Sequence, residues 1–172
     1  MAGLYVDTSA IGRVMLAEPD AQLIRDTMAQ YEVLWSSAVM SLELRRLARR
    51  EGVEERAQEL LAAVLTRRLD SQSLRRAARL EPVEVRALDA IHLDAAIQLK
   101  KRGAIDAVLT FDQQLGRLCA SRARGRSTGH VVGRRGRRWK PGGSLRDRQP
   151  VIAASLRMTE SPTTTGQITI RS

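Results

Sequence analysis

Aromatic residues are scarce: the 172-residue chain holds two Trp, two Tyr and one Phe. So few rings cannot build the stacking platforms on which RNA-recognition sheets and oligonucleotide-binding barrels hold bases, which excludes those classes. Cysteine is scarcer still. The single Cys119 has no partner for an internal disulfide or a thiolate zinc site. No apolar run approaches the roughly 18 residues that span a bilayer. The opening MAGLYVDTSA lacks a basic region followed by an apolar stretch, so no secretory leader is expected. These absences predict a cytoplasmic, disulfide-free globular protein with no membrane partner.

An excess of one charge is also missing from most of the chain. Residues 1–120 hold 17 Lys+Arg and 17 Asp+Glu, whereas residues 121–172 hold 12 and 2 and so carry the whole net charge of +10. Leu, Ile, Val and Phe make up 8 of those last 52 residues, below the roughly 20% of a folding segment. The prediction is a compact domain over 1–125 and a basic Gly/Arg/Pro-rich tail over 126–172 that is disordered or an atypical C-terminus. A genuine basic arm and an extension appended by a shifted reading frame both account for the tail. Its GRRGRRWK stretch would hold a phosphate backbone without sequence preference, or serve solubility alone.

The first 121 residues are periodic and well punctuated. Leu4-Tyr5-Val6 reads as a strand that runs into the cap signal Asp7-Thr8-Ser9. Helices are predicted over Ala10–Ala17 and Asp20–Gln30. Val33-Leu34-Trp35 reads as a second strand, after which Ser36 and Ser37 cap a helix to about Arg50, stopped by Gly52. Val53–Arg68 and Ser71–Leu80 read as helical, and Pro82 as the opening of a helix over Val83–Arg102. Ala107–Phe111 is the third strand, and Asp112 begins a last helix through Cys119. Strands alternating with helices mean an α/β fold, a parallel sheet flanked by helices.

Four carboxylates stand where a solvated surface charge is not expected. Asp7 and Asp112 each follow a short apolar strand and precede a helix, at the strand ends where open parallel sheets bind ligands. Helix capping is the ordinary alternative for both. Glu43 has Val39, Met40 and Leu47 as its helical neighbours, and Asp89 has Val85, Leu93 and Ala96, so each lies on an apolar stripe. Arg46 could pair with Glu43, and Arg86 with Asp89. If the four converge they repel one another unless a cation joins them, and hard Mg²⁺ or Mn²⁺ suits oxygen ligands. Such ions activate water in phosphodiester hydrolysis. Asp94 faces another side of its helix. A phosphoaspartate hydrolase is excluded, because it needs a second acid two residues after Asp7, where Ser9 stands. His92, three residues after Asp89, could approach the site but is expected to be structural, and Tyr5 and Trp35 to be core. Arg46 and Arg50 lie on the Glu43 side, as phosphate grips or as an exposed face.

The segments YVDTSAIGR, SSAVMSLELRRLARR, ALDAIHLDAAIQL and VLTFDQQL, in this order and spacing over about residues 3–120, resemble the PIN domain of the bacterial VapC-type toxin family. The resemblance implies a three-layer PIN-like fold and a Mg²⁺-dependent endoribonuclease, with Mn²⁺ as the second ion. It implies a cognate antitoxin encoded beside the toxin, transfer or ribosomal RNA as substrate, and a homodimer. Carried over residue by residue, Asp7 corresponds to the first-strand metal ligand and Glu43 to the helix carboxylate. Asp89 corresponds to the acid of the LDA-x-H segment, and Asp112 to that of the T-x-D segment. Thr8 or Ser9 would hold water or phosphate beside Asp7, though capping explains them equally, and Thr110 would support Asp112. Family members close with a strand near the C-terminus, where this chain has SRARGRSTGHVVGRR and only Val131-Val132 offers an edge strand. A chain without that strand would be a catalytically impaired module that binds antitoxin or nucleic acid.

Overall fold

The computed structural model describes residues 2–123 and the backbone of residues 151–153. Among these residues five strands form one sheet: β1 (Gly3–Val6), β2 (Val33–Ser37), β3 (Leu65–Arg67), β4 (Ala107–Thr110) and β5 (Val151–Ala153). Their order is β3-β2-β1-β4-β5. The first four are parallel, and β5 pairs antiparallel with β4. Among the described residues seven helices connect and cover them: α1 (Thr8–Met15), α2 (Ala21–Met28), α3 (Ala38–Glu51), α4 (Glu54–Ala62), α5 (Ser71–Ala77), α6 (Ala87–Lys101) and α7 (Gln113–Ala123). No helix among the described residues is long and apolar enough to cross a membrane.

The central strands β1 and β4 are buried on both faces, which is why they read as continuous apolar runs rather than as alternating ones. Alternation along each strand still divides the core in two. Leu4, Val6, Ala107 and Leu109 pack with Ile11, Met40 and Leu44 on one face. Tyr5 and Val108 pack with Leu93, Leu99 and Leu115 on the other. At the start of β1 the Ala104 carbonyl lies so close that any Cβ on Gly3 would collide with it. Gly52 ends α3 in the left-handed region at φ 68°, the usual reason for glycine after a helix.

The chain leaves β1 toward β2 on one side and returns to β4 on the other. The carboxyl ends of β1 and β4 therefore lie side by side where the strand order reverses, the ligand-binding crevice of open α/β sheets. Register places Val6 beside Leu109, and the Asp7 N–H donates to the Leu109 carbonyl at 3.0 Å.

Several sequence expectations are corrected. Ser36 and Ser37 end β2, and Ser37 stands at the N-cap position of α3 as expected but makes no side-chain cap bond, while Ser36 donates to the Val6 carbonyl at 2.7 Å. The helix expected over Val53–Arg68 stops at Ala62, and Leu65–Arg67 pairs with β2 as an edge strand. Pro82 does not open α6, which begins at Ala87. Within the 126–172 segment, expected to be disordered or an atypical C-terminus, residues 151–153 form β5 against β4, so the closing strand expected to be missing is present. The edge strand considered at Val131-Val132 lies outside the described residues.

Candidate metal centre

All four carboxylates singled out in the sequence line one cavity of about 230 Å³ at the carboxyl ends of β1 and β4, together with Arg86 and His92. Each arrives from a different place. Asp7 follows β1, Glu43 sits in the second turn of α3, Asp89 in the first turn of α6, and Asp112 just before α7.

Asp7 and Asp112 are both helix caps and cavity walls, because a carboxylate has two oxygens. Asp7 Oδ2 accepts from the Ser9 N–H at 3.2 Å, the Ser9 hydroxyl at 2.6 Å and the Thr110 hydroxyl at 3.1 Å. Its Oδ1 lies 3.6 Å from His92 Nδ1. Asp112 Oδ1 accepts from the N–H groups of Gln114 and Leu115 at 2.8 and 2.9 Å, while Oδ2 turns to the guanidinium of Arg86 at 3.1 Å. Thr110 joins the two, since its hydroxyl also accepts from the Asp112 N–H at 3.0 Å. Capping and a place on the cavity wall coexist here.

Glu43 is held by Thr8, whose hydroxyl donates to Oε2 at 2.6 Å, and by His92 Nε2 at 3.0 Å. Burial alone would raise the Glu43 carboxyl, but the bonds from His92 and Thr8 outweigh it and hold the group below its ordinary range. The His92 ring is 2% exposed. Its Nδ1 meets the Tyr5 hydroxyl at 2.8 Å and Ser37 Oγ at 3.2 Å. Burial and the nearby Asp7 keep the Tyr5 phenol well above its ordinary value, so it stays protonated as a donor. Burial opposes charge on His92, yet the bond to Glu43 and the field of Asp7 raise it from its ordinary value. His92 is thus buried as expected of a structural residue and is also a wall of the cavity.

Asp89 takes the pairing foreseen as its alternative. Arg86 Nε donates to Asp89 Oδ2 at 2.7 Å, so one guanidinium forks between Asp89 and Asp112. Burial raises Asp89 above its ordinary value; Arg86 lowers it, and Asp112 and Asp7 push it up again. Arg46 and Arg50 are exposed on α3, and Arg50 pairs with Glu51. Asp94 faces away, buried against Arg76 and Arg67.

The donor set fits a hard divalent cation: it is all oxygen, multiply acidic and already organised around a positive charge. As arranged, no three acidic, His or Cys side chains among the described residues stand together in reach of one ion. The hydrogen bonds and Arg86 supply the physical reason, because Asp7 and Glu43 are drawn to neighbouring donors while Asp89 and Asp112 are drawn to the shared Arg86 guanidinium. His92 is the wall residue expected to be structural, and Arg86 was expected only as a partner of Asp89, not of Asp112 as well. Their signal was the i+3 spacing on either side of Asp89, Arg86 three residues before it and His92 three after.

Comparison with known proteins gives a consistent picture. The family model for the PIN domain matches residues 4–120. "Ribonuclease VapC47" of Mycobacterium tuberculosis (strain CDC 1551 / Oshkosh) is 33% identical over 119 residues, 65% of this chain and 86% of that protein. "Ribonuclease VapC46" of Mycobacterium tuberculosis (strain ATCC 25618 / H37Rv) is 33% identical over 135 residues, 77% of this chain and 95% of that protein.

Proposed function

The chain belongs to the PIN-domain family in its VapC type, and from that premise we propose that it is an endoribonuclease toxin with a Mg²⁺ or Mn²⁺ centre at Asp7, Glu43, Asp89 and Asp112. The observation that carries this reading is the convergence of four carboxylates on one cavity at the switch point of the sheet. Residues 1–125 form the nuclease domain, and the basic 126–172 segment adds backbone affinity for RNA. A cognate antitoxin and a second copy of the chain are its protein partners, and transfer or ribosomal RNA is its substrate.

A divalent ion held by these carboxylates would supply Lewis-acid chemistry for phosphodiester hydrolysis. The chain's own residues do the positioning. Ser9 and Thr110 fix one oxygen of Asp7 and leave the other toward the cavity. Thr8 and His92 hold Glu43 ionised and in place. The α7 N–H groups hold Asp112 by Oδ1, so Oδ2 keeps its direction. In this reading no side chain acts as the nucleophile, and hydrolysis by water leaves a 5′ phosphate. The reading of an impaired module rested on a missing closing strand, and β5 removes that ground.

The test is cleavage of total RNA by the purified, antitoxin-free protein and its Asp7→Ala variant during titration with Mg²⁺ and Mn²⁺. Metal-dependent cleavage lost in the variant is expected. Full cleavage by Asp7→Ala would overturn the site.

A further inference from the structure

Arg86 is placed unlike any other cation of the site. It occupies the N-cap position of α6 in an extended conformation and makes no side-chain cap bond. Its guanidinium reaches forward to Asp89 on its own helix and across to Asp112 on the far side of the cavity. Both partners are sheltered, with side chains 16% and 17% exposed, whereas the Arg86 side chain is 63% exposed. The charge is therefore applied from the solvent side. The residues before it, Glu81 to Glu84, are exposed as well, so the side chain can leave without opening the core.

The other cations near the cavity are engaged elsewhere. Arg13 is buried against Glu18 and Asp20, with its guanidinium 4.5 Å from the Phe111 ring centre. His92 is enclosed by Glu43, Tyr5 and Ser37. Without Arg86, Asp89 and Asp112 would face each other across the cavity uncompensated, with Asp7 adding to the repulsion. One guanidinium offsets only part of that charge, and a divalent ion offsets more at shorter range.

Resting on the metal centre proposed above, we propose that Arg86 is its built-in counter-ion: the guanidinium neutralises Asp89 and Asp112 while the site is empty and is displaced when a divalent ion binds. Ion binding and the Arg86 fork then exclude each other, so the arginine lowers the apparent affinity for the ion and protects the metal-free fold from carboxylate repulsion.

The experiment is calorimetric titration of Mn²⁺ alone into the full-length, metal-free protein, its Arg86→Gln variant and an Arg46→Gln control. The control removes an equal charge from the exposed face of α3. Arg86→Gln is expected to bind Mn²⁺ roughly tenfold more tightly than the unaltered protein, and Arg46→Gln within about twofold. In chelator, Arg86→Gln should melt below the unaltered protein, and saturating Mn²⁺ should close the gap. Mn²⁺ binding of equal strength in the unaltered and Arg86→Gln proteins would overturn the counter-ion role and leave the metal centre standing. So would equal gains from the two variants, which would make the effect one of overall charge. Absence of Mn²⁺ binding in all three would remove the metal centre, and the role of Arg86 with it.

Discussion

His92 Nε2 lies 3.0 Å from Glu43 Oε2, and the opposite ring nitrogen lies 2.8 Å from the Tyr5 hydroxyl. An ionised carboxylate can only accept, so Nε2 carries a proton. With the ring neutral, Nδ1 accepts from Tyr5. The buried strand β1 thereby fixes the direction of a carboxylate on α3 through a helix α6 residue.

Replacing His92 with leucine would strand two groups at once, leaving the Glu43 carboxylate and the Tyr5 hydroxyl each without this partner. Uncompensated buried polar groups cost about 1–3 kcal/mol, and in a chain of this size each kcal/mol moves the melting temperature by about 2–4 °C. His92→Leu should therefore lose several degrees. His92→Gln offers one donor and one acceptor and should recover at least about half of that loss. Thermal denaturation of the metal-free proteins decides it, and equal melting temperatures for the two variants would show that the ring contributes volume alone.

The same contacts set a pH dependence. His92 is raised from its ordinary value of 6.5, chiefly by Glu43 and Asp7 against the opposing effect of burial. Its folded value exceeds its unfolded one, so its stabilisation is fully present below pH 6.5 and is lost as pH rises through the raised value. Glu43 is lowered from 4.5, so its contribution is present above that value and fades only as pH falls below it. The metal-free protein should therefore lose melting temperature as pH rises above 6.5. His92→Gln should be flat over that range, and a parallel decline in the variant would assign the effect to other groups.

Asp112 performs two tasks that one pair of substitutions separates. Asparagine caps a helix as well as aspartate does, whereas alanine loses about 1 kcal/mol. Asp112→Asn should keep the stability of the metal-free protein, and Asp112→Ala should melt about 2–4 °C lower. Both should lose RNA cleavage by at least about 100-fold, the upper end for residues that merely support a metal ligand. Retained cleavage in Asp112→Asn would reduce Asp112 to a cap.

What was legible in the chain follows from how local its cause is. LYV and AVL read as strands because both faces of β1 and β4 are buried, and the aspartates that follow them mark the strand ends. Glu43 betrayed itself by its apolar neighbours on α3. The three residues of β3 gave no such sign, since Leu65 and Thr66 are exposed at the sheet edge and only pairing with Trp35 and Ser36 makes them a strand. The start of α6 was misread because Arg86 is no capping residue; its side chain is taken by Asp112, 26 positions away. The role of His92 depends on Tyr5, Ser37 and Glu43, which reach it from three other elements. β5 comes from beyond a basic Gly-rich stretch and is defined only by its match to β4.

β5 also carries a consequence for the site. It pairs Val151 with Thr110, the residue whose hydroxyl serves both Asp7 and Asp112. Truncation after residue 150 would strip the outer edge of β4, expose its backbone groups to water and loosen the strand end that positions two of the four carboxylates. Truncation after residue 153 keeps the pairing and removes only Arg157, Glu160 and Arg171 among charged side chains, so backbone affinity for RNA should barely change. The shorter protein should melt several degrees lower, for a loss of about 1–2 kcal/mol, and should cleave RNA more slowly at saturating metal. The longer one should match the full chain in both. Because the two truncations differ by three residues, equal melting and cleavage would show that the sheet holds Thr110 without β5, and unequal behaviour would place the closing strand in support of the site.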